Sequence, residues 1–78
     1  KDQIRVFFCY FLEFKKLIEK YEKRFSQSAL SDCQSLKEDI QEFIKNNLIS
    51  LDYDIHDSFI ILSEYIQNFV IHKKTYII

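Results

Sequence analysis

Ile4, Phe7, Phe11, Phe14, Ile18, Tyr21 and Phe25 succeed one another at alternating steps of three and four residues. That spacing returns to one side of a helix turn after turn. It predicts a helix over 3–25, with Asp2 as N-cap and these seven side chains as its core stripe. Lys15, Lys16, Glu19, Lys20, Lys23 and Arg24 fill the polar side, with cations gathered late in the helix where the dipole favours them. The polar stretch Ser26 to Asp32 reads as a link, and Ser31 with Gln34 three residues later fits a capping box. Cys33, Leu36, Ile40, Phe43, Ile44 and Leu48 then predict a second helix over 32–48, closed by Asn46 or Asn47 in the left-handed conformation. Ile49 to Asp54 is a second link, in which Asp52 or Asp54 caps the third helix. Ile55, Phe59, Leu62, Ile66, Phe69 and Val70 carry that helix over 55–72. The β-branched run "SFIIL" would also suit a strand, but Glu64, Gln67 and Asn68 keep the helical period. The ending "HKKTYII" reads either as a fourth helical turn or as a packed extended tail.

Three amphipathic segments joined by short links predict an all-α fold, a small antiparallel or orthogonal bundle of three to four helices. Residues 1–78 form one domain on this reading, and a chain that opens on Lys1 reads as a domain excised from a larger protein. Composition strengthens the helical reading: the chain has no Gly and no Pro, so tight hairpins lose their usual turn residues. Eight Phe and five Tyr give a small core an unusual aromatic payload, which matters because so short a chain hides only about 60–65% of its unfolded surface.

The apolar supply of the first segment exceeds one stripe. In "IRVFFCYFLEF", Ile4 to Phe14, only Arg5 and Glu13 are charged. On a helical projection Val6, Tyr10 and Leu17 widen the stripe on one flank, and Phe8 and Leu12 lie on the other. Two neighbouring helices cover the stripe and one flank. Phe8 and Leu12 need a further cover: the "TYII" tail, or another molecule. They are the candidate interface for a protein partner or for self-association.

Charge narrows the partners. The net charge is −1, which gives no global attraction to nucleic acid or to a membrane surface. Residues 1–25 carry seven basic and four acidic groups, whereas 26–53 carry two and five. A basic first helix is therefore expected beside an acidic second one. An alternative use of the basic side, Lys16, Lys20, Lys23 and Arg24, is contact with nucleic-acid phosphates, but Glu19 and Glu22 interrupt it and no aromatic interleaves it. Cys9, Cys33, His56 and His72 have no metal-ligand spacing, and Asp52, Asp54 and Asp57 lack the Gly and the twelfth-position Glu of an EF-hand. Without Gly, phosphate loops and nucleophile elbows are excluded. The expectation is no catalysis, no cofactor and no metal. Two Cys set too far apart for a disulfide fit an intracellular, reducing compartment, and the longest apolar run is too short to span a bilayer.

The whole chain, a small helical unit ending in "IHKKTYII" with the Ile, Lys and Phe bias of an A/T-rich genome, resembles the ACDC domain of apicomplexan AP2 transcription factors (AP2-coincident, mainly C-terminal). The resemblance covers length and helical pattern. It implies a nuclear accessory module whose DNA contact resides in a separate AP2 domain, and it transfers no site residue.

Overall fold

The computed structural model describes residues 2–74. Three helices succeed one another: α1, Asp2–Lys20; α2, Gln27–Asn46; and α3, Tyr53–Lys74. Tyr10 meets Phe43 and Tyr21 reaches Asp32, so α1 and α2 run antiparallel. Phe43 meets Phe59 and Lys37 reaches Gln67, so α3 turns back along α2. Phe7 against Phe59 and Phe14 against Phe69 then set α3 beside α1 in the same direction. The bundle is a rod of 42 × 17 × 16 Å. The chain ending after Lys74, expected as a helical turn or as a tail over Phe8 and Leu12, lies outside the described residues.

Its core is built as two aromatic knots bridged by aliphatic layers. Phe59, fully buried, takes Phe7, Tyr10 and Phe43 around it, with ring centroids at 5.5, 6.3 and 5.1 Å. Towards the other end, Phe69 receives Phe14 at 5.4 Å and Phe25 at 5.7 Å. Cys33, Leu36, Ile40, Leu62 and Ile66 fill the length between them. Edge-to-face pairs of this kind add to the area they bury, which is how a chain of 78 residues assembles a core. The polar groups drawn inside are satisfied: Ser63 donates to the Ile60 carbonyl at 2.9 Å, and the half-buried Lys37 ammonium donates to Gln67 Oε1.

Several boundaries differ from the sequence reading. The first helix stops at Lys20, where Tyr21 N–H donates the last helical bond to Leu17. Ser26, with extended backbone, is the N-cap of α2 and accepts from Ala29 N–H at 3.3 Å, in place of a cap at Ser31. The reason is burial: Ala29 and Leu30 are core residues, and a helix beginning at 32 would leave them in a loop. Phe25 still finds apolar company, but from the connector. Asn47 closes α2 at φ −123° rather than in the left-handed region, and its side-chain amide donates to the Phe43 carbonyl. Gln3, which belongs to no sequence pattern, ties the start of α1 to the second link: its Nε2 donates to Ser50 O at 2.7 Å and its Oε1 accepts from Asp52 N–H at 3.2 Å.

The core stripe of α1 is rotated. Phe14 is buried, and Phe7 and Ile18 are half-buried with the flank of Val6, Tyr10 and Leu17. Ile4 and Phe11, expected inside, are exposed. A helix with two neighbours buries one arc, and α1 turns the arc centred between Phe14 and Tyr10 inward. Leu48, expected to pack with α2, also faces outward, as do Ile49 and Tyr53 in and after the second link.

Candidate functional site

Four apolar side chains of α1 are left uncovered on one face: Ile4, Phe8, Phe11 and Leu12, at 48, 54, 44 and 50% exposure. Their spacing of four, three and one places them on adjacent turns of the same side. Phe8 and Leu12, the pair singled out in the sequence, form the side of this set away from α3. Ile4 and Phe11 join it because the core arc turned away from them.

The face continues onto α3. Phe7 and Phe11 line a groove of about 230 Å³ together with Ser58, Ile61, Leu62 and Tyr65. Ile61 and Tyr65 are each 63% exposed. Phe7 links groove to ridge, edge-on to Phe8 at 5.9 Å and stacked on Phe11 at 6.3 Å. Of the two hydroxyl-bearing side chains in the groove, Ser58 and Tyr65, Ser58 donates to the Asp54 carbonyl at 3.0 Å. The volume falls below the roughly 300–1,000 Å³ of a small-molecule pocket. What remains is a shallow apolar trough beside an apolar ridge, a shape suited to another protein's side chains. The sequence signal missed on α3 was Ile61 and Tyr65, four residues apart and outside the Phe59–Leu62–Ile66 series.

The four basic residues of the alternative reading are not brought onto one helical stripe. Lys16 lines a trough between α1 and α2 with Glu13, Asp32 and Asp39, one cation among three carboxylates. Lys20 sits over the Tyr21 ring at 5.3 Å. Lys23 and Arg24 belong to the connector, beyond the end of the helix. Carboxylates beside Lys16 oppose a phosphate approaching there.

Two titratable groups are perturbed. Burial raises the Tyr10 phenol above its ordinary value, and the negative charges of Asp39 and Glu13 raise it further. Burial likewise pushes the Cys33 thiol up, with Asp32 adding to the effect. Both shifts favour the neutral, unreactive form. Cys9 is exposed and Cys33 buried, and both are free thiols. Among the described residues no three His, Cys, Asp or Glu side chains are grouped to hold a metal ion, and no helix is long and apolar enough to cross a membrane. Comparison with known proteins adds no relative to this picture: no family model, no curated protein and no solved structure matches the chain.

Proposed function

We propose that this chain is a non-catalytic helical interaction module that binds a protein through the α1–α3 face, with Phe8 and Leu12 on its α1 side. In keeping with the resemblance to ACDC domains, it serves as an accessory domain of a nuclear transcription regulator. The observation that carries the reading is the continuous exposed set Ile4, Phe8, Phe11, Leu12, Ile61 and Tyr65. Exposing about half of each of six large side chains leaves on the order of 600 Å² of largely apolar surface. The largest apolar patch on a typical monomer is about 300–600 Å². Water is excluded from such a face at a gain of roughly 25 cal/mol per Å², and aromatic anchors are what interaction hot spots favour. Neutral Tyr10 and Cys33 groups, locked in packing, add no reactive centre. A free thiol at the surface suits a reducing compartment.

The experiment is the double substitution Phe8→Ser with Leu12→Ser. Neither side chain is in the core, so at low protein concentration the helical circular dichroism and the melting temperature stay within a few degrees of the parent, while partners recovered by proximity labelling or pull-down with the parent are lost. An unfolded double variant would place these side chains in the core and end this reading.

A further inference from the structure

We propose that the occupant of the α1–α3 face is a second copy of the same chain, seated about a twofold axis parallel to the helices. The proposal rests on the reading of that face as a protein-binding surface and deepens it by naming the partner and its orientation.

The first observation is area. A stable interface buries about 800 Å² on each partner, and the exposed apolar set supplies most of it before its polar rim is counted.

The second is the order of charge across the face. Phe11 borders the groove, and Phe8 and Leu12 lie further out on α1; helical projection places Arg5 beyond Leu12, on the outer edge. On α3, Ile61 and Tyr65 border the groove, and Asp57 and Glu64 lie beyond them on the opposite edge. Arg5, Asp57 and Glu64 are all exposed. At the level of Phe7 and Phe8 the face is therefore apolar in the middle, with Arg5 on its α1 edge and Asp57 on its α3 edge, while Lys15 and Glu19 lie two to three turns further along α1 and largely offset each other. A twofold axis along the helices lays α1 of each copy over α3 of the other, so at that level each basic edge meets an acidic one. A twofold across the helices would set α1 on α1 and match like charges at both edges, which is penalised.

The third is level. Phe7 packs on Phe59, so Arg5, two residues earlier, stands level with Asp57, two residues before Phe59. A rotation about an axis along the rod preserves that level. Arg5 of one copy therefore faces Asp57 of the other, twice in the dimer, as an isologous interface requires.

Sedimentation equilibrium on the purified chain, from about 1 μM to about 1 mM, tests the proposal. The expected result is a monomer–dimer equilibrium that Arg5→Glu or Asp57→Arg alone weakens about tenfold or more. The two together restore it to within about threefold of the parent, because the reversed charges attract again. Dimerisation that ignores both single reversals, or single losses that the pair does not rescue, overturns the orientation. A folded parent that stays monomeric throughout overturns the second copy; the Phe8/Leu12 pull-down then judges the interaction reading by itself. A chain ended at Lys74 that dimerises where the full chain does not would make residues 75–78 the occupant and also overturn the proposal.

Discussion

At the scale of the residue, two phenylalanines of the apolar series have opposite fates. Phe59 is wholly enclosed, with three aromatic rings within 6.3 Å of its centroid. Phe11 sits on the sequence stripe yet is 44% exposed. Truncating a buried Phe to Ala costs about 3–5 kcal/mol, from lost transfer energy and the cavity left behind. A domain of this size has on the order of 4–12 kcal/mol in all. Phe59→Ala is therefore expected to leave the chain largely unfolded or with its urea midpoint cut by about a quarter or more. Phe11→Ala, whose side chain already meets solvent and leaves no enclosed void, is expected to cost about 1 kcal/mol or less in the monomer. Urea titration of the two variants ranks them, and an equal loss would put Phe11 in the core after all. Periodicity alone could not separate these residues. It identifies an apolar side of α1 that takes in about two thirds of the helix, and only the positions of α2 and α3 decide which part of that arc turns inward.

At the scale of the element, the three helices and their order were legible because each carries a 3.6-residue apolar series. Their ends were legible only in part. Glu22, Lys23 and Arg24 are good helix formers, so nothing local between Tyr21 and Phe25 announces a stop, and without Gly or Pro the usual punctuation is missing. The stop is set from a distance: Tyr21 hydroxyl donates to Asp32 at 2.8 Å, Phe25 packs on Phe69, and Ala29 and Leu30 need helical positions facing the core. Phe8 and Leu12 were legible as part of the exposed face, whereas Ile61, Tyr65 and the groove they frame depend on α3 lying parallel to α1. Two serines test the start of α2. Ser26 caps Ala29 N–H, so Ser26→Ala is expected to lower stability by about 1 kcal/mol. Ser31 lies inside the helix and is exposed, so Ser31→Ala is expected to be neutral or slightly stabilising, given the better helix propensity of Ala. Thermal melts of both variants distinguish the two starts, and the reverse order would restore the later one.

At the scale of the whole molecule, the rod is thin for its mass. Its surface is 5939 Å², whereas a compact monomer of 9.5 kDa exposes roughly 5,000 Å². Elongation brings every helix to the surface, and in α1 and α3 the surface so made is apolar. Pairing two rods along that face would add a layer between helices that each have only two neighbours in the single chain, and would cover Phe8, Leu12, Ile61 and Tyr65 together. Stability would then belong partly to the pair. A folded dimer in equilibrium with unfolded chains gains stability with concentration by mass action. A tenfold rise in concentration adds about 1.4 kcal/mol per dimer, or ~0.7 kcal/mol per chain, above the dissociation constant. For a domain of this length that raises the melting temperature by roughly 3–5 °C. Calorimetry of the parent over two decades of concentration is expected to show this climb. The variant carrying both Phe8→Ser and Leu12→Ser is expected to melt at one temperature throughout, near the parent's low-concentration limit. A parent whose melting temperature is flat across the same range, with its heat of unfolding intact, would mean that the single rod carries all of its own stability and that its apolar face awaits a different protein.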